Sequence, residues 1–256
     1  ESAYYEYSQK LTNIGQGMEK ALETQMKGER MKIDLITNVS HDLKTPLTSI
    51  IGYVDLLSRD DTLSDEAKDY VTILVKKTER LKDIISDLFE LAKSTSGDIK
   101  VDMEEMDMKR LVEQTLGDMA DQIEESGFGI RYQCNTEHTK FMGDGNRMYR
   151  VVQNVIENAL KYSLKGTRIF IYITEEAGNI VLKVTNTASY EMNFTEEEIM
   201  ERFARAEKSR TSEGNGLGLS IADSFTKNCG GKFEIKIEGD QFTVTIQFKQ
   251  YFKENK

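Results

Sequence analysis

The chain has 256 residues, 38% of them hydrophobic, and its 44 acidic against 34 basic side chains give a net charge of −10. This length allows either one large domain or two modest ones. Because the molecule as a whole repels phosphate backbones, nucleic acid is disfavoured as its partner. With two cysteines and no metal-ligand spacing, a disulfide framework and a zinc site are disfavoured too, and reduced, cytosolic conditions are expected.

No stretch of the sequence approaches the roughly 20 apolar residues needed to cross a bilayer, and no signal-peptide pattern opens the chain. The sequence begins at Glu1 rather than at an initiator methionine, which indicates a fragment of a longer protein. As it stands, we expect a soluble fragment.

A charged segment from about residue 5 to residue 58 begins with coiled-coil spacing and predicts one long helix. A polar break at residues 58–64 separates it from a second helix whose stripe alternates steps of four and three: Tyr70, Leu74, Lys77, Leu81, Ile84, Leu88 and Leu91. Two such helices form a hairpin that buries only one side of each. Because a second copy completes the core most simply, we predict a homodimeric four-helix bundle.

The first helix carries one of the chain's two histidines, His41, and its only proline, Pro46. At about 100° per residue, its apolar side chains form one stripe: Ile36, Val39, Leu43, Leu47, Ile50, Val54 and Leu57. His41 lies on roughly the opposite face among polar neighbours, which predicts a solvent-exposed imidazole. Such an imidazole is a competent nucleophile near neutral pH, and Pro46 is expected to kink the helix beside it.

Small, flexible residues at 94–97 indicate a domain linker, after which the character of the sequence changes. Strands are predicted at 99–101, 128–133, 140–142, 167–174 and 179–185, helices at 108–126, 146–162 and 217–227, and a final hairpin at 232–248. This order predicts an α+β sandwich with helices on one face of a sheet. The polar segment 186–216, with a short helix predicted at 196–203, is typical of a lid.

The helix predicted at 146–162 has two contrasting faces. Its apolar face carries Val152, Ile156, Ala159 and Leu160, and its polar face carries Arg150, Asn154, Asn158, Lys161 and Tyr162. Carboxamide oxygens can ligate magnesium, lysine can neutralise phosphate, and a tyrosine ring can stack on a base. The alternative is a solvated face near a helix end.

A glycine-rich turn, Gly214-Asn215-Gly216-Leu217-Gly218, opens the helix predicted from residue 217. Backbone amides of such a turn converge at the positive end of a helix and can hold phosphate. The turn does not follow a strand of a parallel βαβ unit, and it lacks the Lys-Ser/Thr ending of a Walker loop. Both of those nucleotide-binding folds are therefore disfavoured.

The histidine segment, the two-asparagine helix and the glycine turn, in this order, resemble the bacterial sensor histidine kinases of two-component signalling. The resemblance covers residues 29–248 approximately, and the match Ser40-His41-Asp42-Leu43-Lys44-Thr45-Pro46 is very specific. It implies a coiled-coil signalling linker at 1–30 and a dimerisation and phosphotransfer hairpin at 31–96. Residues 97–252 would form a catalytic ATP-binding domain of the type found in gyrase and chaperone ATPases.

By the same resemblance, Asn158 would hold Mg²⁺ against the ATP phosphates, with Asn154 and Lys161 beside them and Tyr162 against the purine. The hinge of the lid around the triphosphate would be formed by the glycine turn, namely Gly214, Gly216, Leu217 and Gly218. The lid itself would contribute an aromatic side chain and three cations: Phe203, Arg205, Lys208 and Arg210.

One segment departs from the family pattern. Relatives usually carry an aspartate followed by a glycine-rich turn where this chain has Asn186-Thr187-Ala188-Ser189. Asn186 can still accept a hydrogen bond from the adenine amino group, but it brings no charge. We therefore expect weaker affinity or base selectivity; the alternative is a plain turn asparagine at the end of a strand.

The resemblance also implies the reaction. His41 would attack the γ-phosphate of ATP with Asp42 as base and orienter, and the phosphoryl group would pass to an aspartate of a response regulator. Thr45 matches a position that orients water when such kinases dephosphorylate their regulators, so both activities are expected. Sensors of this kind are commonly membrane-anchored, which would place this fragment on the cytoplasmic side of the membrane through a segment upstream of it.

Two rival functions remain. ATP-hydrolysing enzymes of the same nucleotide fold place a glutamate four residues before the magnesium asparagine, whereas this chain has Asn154, which cannot act as a base. A pseudokinase scaffold would follow if the change at Asn186 had abolished nucleotide binding.

The remaining singular residues are predicted to be structural. Asp144 would cap the helix that follows it, and His138 would be an exposed loop residue. Cys134 and Cys229 would be small, semi-buried hydrophobes. The pair Glu104-Glu105 would be solvated charges.

Overall fold

The computed structural model of the chain describes residues 43–60, 62–96, 101–195 and 217–252. The chain separates into two compact units, Glu1–Asp98 and Ile99–Lys256. The first is helical where it is described, and the second combines helices with strands. Within the described ranges, no helix combines the length and apolar character that crossing a membrane requires.

In the part of the first unit that the structure describes there are two helices, α1 over residues 43–58 and α2 over Asp65–Ser96. A polar turn separates them, in which the Asp60 carboxylate accepts hydrogen bonds from the Thr62 amide at 2.9 Å and the Thr62 hydroxyl at 2.6 Å. The Ser64 hydroxyl accepts from the Ala67 amide at 3.3 Å and so caps α2. The structure confirms two helices joined by a polar break; the predicted helix before residue 43 lies outside the described residues.

Each helix of this unit carries one buried and one exposed line of apolar residues. The buried line contains Leu47 and Val54 on α1 and Val71 and Ile85 on α2, at seven-residue spacing or its double. The exposed line contains Leu43, Ile50, Leu57, Tyr70, Ile73, Leu74 and Leu81. Tyr70, Leu74 and Leu81 of the stripe predicted for α2 belong to the exposed line, which the predicted second copy would cover. Periodicity does not say which of the two lines is covered within one chain.

The second unit contains four helices in its described residues: α3 (Met108–Asp118), α4 (Ala120–Ser126), α5 (Gly145–Tyr162) and α6 (Gly218–Asn228). Its strands are β1 (Glu104–Asp107), β2 (Gly129–Cys134), β3 (Lys140–Gly143), β4 (Arg168–Glu176), β5 (Asn179–Thr187), β6 (Lys232–Glu238) and β7 (Gln241–Lys249). Five strands form one sheet in the order β2-β4-β5-β7-β6, with β2 parallel to β4 and the other pairs antiparallel. Strands β1 and β3 form a separate antiparallel pair.

One face of the five-stranded sheet is covered by helices. Alternate residues of β4, namely Ile169, Ile171 and Ile173, are fully buried, as are Ile180 and Leu182 of β5. Helix α5 packs against β5 and is flanked by α3 and α6. The predicted α+β sandwich is thereby confirmed.

Two local predictions are wrong. The strand predicted at 99–101 does not include Val101, and residues 99 and 100 lie outside the described residues; the strand begins at Glu104, because its partner β3 supplies the pairing. Glu104 and Glu105 are exposed as predicted but stand in this strand. The helix predicted at 108–126 is broken at Met119 (φ −98°, ψ 10°), which ends α3 and precedes α4.

The predictions for His138 and the two cysteines are confirmed, whereas the short helix predicted at 196–203 lies outside the described residues. His138 is exposed, with its ring centroid 5.6 Å from that of Phe252. Cys134 is half-buried and Cys229 is buried, and burial raises the pKa of the Cys229 thiol. Both thiols therefore pack as small hydrophobes.

Replacing Gly231 by alanine is expected to destabilise the second unit by about 1–3 kcal/mol. A Cβ atom at this position would lie 2.5 Å from Cζ of Phe248 and 2.9 Å from Cγ2 of Thr226, so the core would have to shift. Urea unfolding measures the effect. The matched control is Gly117→Ala in α3, where nothing lies within 4 Å of the added atom, so stability should be unchanged or rise by about 0.5–1 kcal/mol. Equal losses in both variants would contradict this account of Gly231.

Candidate functional site

Helix α5 is fixed at its start by Asp144, as the sequence predicts. The Asp144 carboxylate accepts a hydrogen bond from the Arg147 amide at 3.2 Å and lies 3.5 Å from Nε of the Arg147 guanidinium. The apolar face of α5 is buried, and its polar side chains are all half-buried: Arg150, Asn154, Asn158, Lys161 and Tyr162. The helix therefore presents two carboxamides and two cations along one partly accessible face.

The glycine turn meets this face. Gly218 opens α6, and a Cβ atom added to it would lie 3.3 Å from Oδ1 of Asn154 and 3.7 Å from its Cβ atom. The first of these distances is tighter than ordinary packing and the second is ordinary van der Waals contact, so α6 begins directly beside α5. Two motifs that are far apart in the sequence are thus brought together.

Two polar atoms at this junction lack partners among the described residues. Nδ2 of Asn154 and Oγ of Ser220 are buried and accept or donate no hydrogen bond, and Ser220 is only 6% exposed. A buried polar atom without a partner costs about 1–3 kcal/mol, so these groups suit a polar ligand or an ordered water. Sequence reasoning missed Ser220; the available signal is a hydroxyl in the first turn of a helix that follows a glycine turn.

The end of β5 runs beside the end of α5. The Leu164 amide donates to the Thr187 carbonyl at 2.8 Å, and the Ser189 amide donates to the Tyr162 carbonyl at 2.9 Å. Asn186 lies just before these contacts in the chain and is 3% exposed. It stands on the same covered face of the sheet as Val184, two residues earlier in the strand. An uncharged amide is therefore buried next to the last turn of the polar helix.

Aromatic rings gather at the same place. The ring centroids of Tyr162 and Tyr190 lie 6.1 Å apart at 79°, and those of Tyr190 and Phe194 lie 6.2 Å apart. Nζ of Lys161 lies 4.8 Å from the centroid of Tyr162. Burial, and secondly the neighbouring Tyr162, raises the pKa of Tyr190, so its phenol is neutral. Sequence reasoning missed Tyr190 because segment 186–216 shows no apolar period.

The residues present suit a magnesium-bound nucleotide. Among the described residues, no group of three or more His, Cys, Asp or Glu side chains could hold a metal ion. Magnesium that keeps phosphate and water ligands needs only one or two protein oxygens, and the amide of the half-buried Asn158 carries an oxygen of the kind that could serve. The unpartnered Nδ2 of Asn154, beside Gly218, is a donor of the kind that phosphate oxygens accept from.

The structure describes two further predicted site residues. Thr45 is exposed on α1, whose helix continues through Pro46. Leu217 is buried at the start of α6, 2% exposed. The following lie outside the described residues: His41, Asp42, Phe203, Arg205, Lys208, Arg210, Gly214 and Gly216.

Two family models match the chain. Residues 31–97 match the His Kinase A (phospho-acceptor) domain, and residues 143–250 match the Histidine kinase-, DNA gyrase B-, and HSP90-like ATPase. The fold and the α5–α6 junction thus belong to an ATP-binding module preceded by a phosphoacceptor hairpin.

Curated relatives are sensor proteins. The chain is 28% identical to the sensor histidine kinase YcbM of Bacillus subtilis over 231 residues, covering 88% of this chain and 74% of YcbM. It is 31% identical to the sensor protein VanSC of Enterococcus gallinarum over 243 residues, covering 92% of this chain and 66% of VanSC. Together with the two domain matches, this shows that the chain belongs to the sensor histidine kinases of two-component systems, as expected from the sequence.

Solved structures share the fold. Full-length ShkA in complex with AMPPNP matches with a TM-score of 0.73 at 22% identity, over 85% of this chain and 46% of ShkA. The histidine kinase ThkA in complex with the response regulator TrrA matches with a TM-score of 0.60 at 19% identity, over 89% of this chain and 65% of that chain. At these identities the likeness is one of fold.

Proposed function

We propose that this chain is the kinase part of a sensor that phosphorylates its own His41 from Mg-ATP and passes the phosphoryl group to an aspartate of a response regulator. The observation that carries the proposal is the contact of Asn154 with Gly218, which joins the amide face of α5 to the glycine turn. Family membership supports it, as does the nucleotide analogue bound to ShkA.

The proposed nucleotide site uses the second half of α5, from Asn154 to Tyr162. Asn158 would supply an oxygen to Mg²⁺, and Asn154 and Lys161 would face the phosphates. Tyr162 and Asn186 would contact the base. The glycine turn and the lid would complete the triphosphate site with Gly214, Gly216, Leu217, Gly218, Phe203, Arg205, Lys208 and Arg210. Bound magnesium would neutralise charge on the phosphates.

The main catalytic contribution of the chain would be to position His41 and the γ-phosphate for the reaction. A ring nitrogen of His41 would form the N–P bond while the bond from the γ-phosphorus to the bridging oxygen breaks and ADP leaves. Asp42 would hold the other ring nitrogen protonated, so that the attacking nitrogen presents its lone pair. Incubation with γ-labelled ATP and Mg²⁺ tests the proposal, since phosphohistidine is lost in acid and survives alkali.

We also propose a homodimer. The exposed line of α1 and α2 includes Ile50, Tyr70 and Leu74, which are 48%, 59% and 47% exposed in the single chain. A contiguous apolar surface of this kind is normally covered by a partner, and a second copy of the hairpin would bury it as a four-helix bundle. Residues 1–30 would be the signalling linker, 31–96 the hairpin and 97–252 the ATP-binding domain.

The response regulator is proposed as the second protein partner, and ThkA, solved with its regulator TrrA, supports this choice. The chain spans about two thirds of VanSC and three quarters of YcbM. We propose that a segment upstream anchors the sensor in the membrane, with this part on the cytoplasmic side.

The rival functions are disfavoured by particular residues. An ATPase needs a base near the attacking water, and the amide of Asn154 cannot serve as one. In a scaffold that binds no nucleotide, no ligand would accept a hydrogen bond from the unpartnered Nδ2 of Asn154 beside Gly218. Titration with labelled ATP and Mg²⁺ separates the scaffold from the kinase, because saturable binding contradicts the scaffold.

Replacing Thr45 by alanine is expected to lower dephosphorylation of the regulator by about 10²-fold, because the hydroxyl that orients the attacking water is lost. Autophosphorylation should be unchanged, since Thr45 takes no part in it. The measurement is the rate at which phosphorylated regulator loses its phosphate in the presence of the kinase.

The matched control for Thr45 is Thr72→Ala on α2, another exposed threonine, whose hydroxyl donates to the Lys68 carbonyl at 2.9 Å. It should leave both activities unchanged. A parallel fall of autophosphorylation and dephosphorylation in Thr45→Ala would show that the role assigned to Thr45 is wrong.

A further inference from the structure

The base end of the nucleotide site is built from uncharged groups. Asn186 is 3% exposed at the end of β5, and Tyr162 and Tyr190 stand on the two segments joined by the bond from the Ser189 amide to the Tyr162 carbonyl. The Lys161 ammonium lies 4.8 Å from the Tyr162 centroid, and the exposed Glu191 follows Tyr190 in the chain. Among the described residues, no carboxylate is hydrogen-bonded to Asn186. At this position the chain therefore offers an amide and not a fixed negative acceptor.

An amide reads a purine edge differently from a carboxylate. A carboxylate only accepts hydrogen bonds, so it suits the adenine amino group and repels the carbonyl oxygen that guanine presents at the same ring position. The carboxamide of Asn186 carries a carbonyl oxygen, which accepts hydrogen bonds, and an NH₂ group, which donates them. Rotation about the Cβ–Cγ bond exchanges the positions of these two groups. No described residue donates to or accepts from this side chain, so neither orientation is imposed on it.

Stacking on a tyrosine ring tolerates either purine. Every base has a π-face, and base–aromatic stacking depends little on which base is present. The Tyr190 phenol is kept neutral by a raised pKa, and its ring is half-buried between those of Tyr162 and Phe194. A ring held in this way provides an uncharged aromatic surface for stacking, which does not favour one purine base over the other.

We propose that the nucleotide site accepts purine nucleoside triphosphates in general, with GTP competing with ATP, and that Asn186 is the residue that relaxes the selectivity. This inference rests on the proposed function, because it assumes that the base lies against Asn186 and Tyr190. It predicts a base preference far weaker than a buried carboxylate at the same position would impose.

The test is displacement of a fluorescent trinitrophenyl-ATP probe from the full chain with Mg²⁺, by ATP and by GTP in parallel. The ratio of the GTP Kd to the ATP Kd is expected to be within about tenfold in the unmodified chain, and to rise by about tenfold or more in Asn186→Asp. Tyr190→Ala should weaken ATP and GTP alike by roughly 5- to 100-fold and leave the ratio unchanged.

The control is Asn146→Asp, which makes the same change at an exposed position of α5 and should not move the ratio. If the unmodified chain binds ATP but binds GTP more than about tenfold more weakly, the inference is wrong and the proposed function stands. If neither nucleotide displaces the probe, the proposed function itself fails. The ratio in the unmodified chain decides the question even if a carboxylate at the buried position prevents folding.

Discussion

A chain with His41→Gln is expected to take up no label from γ-labelled ATP while still binding the nucleotide. Glutamine keeps a polar side chain at this position but has no nucleophilic nitrogen, so the N–P bond cannot form. The residues proposed to bind the nucleotide lie in the second unit, whereas the substitution lies in the first. The measurements are acid-labile label on the protein and saturable binding of ATP with Mg²⁺.

The sequence supplies a matched control for this experiment, because it contains only one other histidine. His138 is exposed in the loop before β3, and His138→Gln should label as the unmodified chain does. Label that persists in His41→Gln, or disappears in His138→Gln, would show that the phosphoacceptor has been assigned to the wrong residue.

Replacing Asn158 by alanine is expected to lower the autophosphorylation rate by about 10²- to 10³-fold. The amide oxygen is the protein ligand proposed for Mg²⁺, and its loss leaves the metal held by phosphate and water alone. The Mg²⁺ concentration that gives half-maximal labelling should rise as well. This second measurement separates a ligand of the metal from a residue that only supports the fold.

Asn146→Ala is the control for Asn158. Asn146 is an exposed asparagine in the first turn of the same helix, at the end away from Tyr162. It should label at the normal rate with the normal requirement for Mg²⁺. An unchanged Mg²⁺ requirement in Asn158→Ala, with labelling merely slowed, would exclude Asn158 as the ligand.

The polar face of α5 shows how far sequence reasoning reached. A helical period fixes which side chains share a face, so burial of Val152, Ile156, Ala159 and Leu160 and partial exposure of the opposite side chains followed from the sequence. The period does not give the distance from Asn154 to the glycine turn, because that contact joins two helices that are remote in sequence. Only the packing of α6 on α5 brings Gly218 to Asn154.

Tyr190 and Ser220 were missed for a related reason. Neither stands in a periodic segment of its own: Tyr190 follows β5 in a stretch without an apolar pattern, and Ser220 is a single hydroxyl in an apolar turn. Their significance comes from burial and from their neighbours, the Tyr162 ring for Tyr190 and the lack of a described partner for Ser220. Burial is a property of the assembled domain.

The sequence by itself determined the class of protein, the order of its modules and most of the helices and strands. Local spacing sets each of these: three ordered motifs for the family, and periods of 3.6 and 2 residues for the elements. Tertiary structure alone decided which apolar line of α2 is covered within one chain, where β1 finds its partner, and that the amide face of α5 meets the start of α6. Each of these features depends on contacts between segments that are remote in the sequence. The free energy of such contacts cannot be predicted from a local sequence pattern.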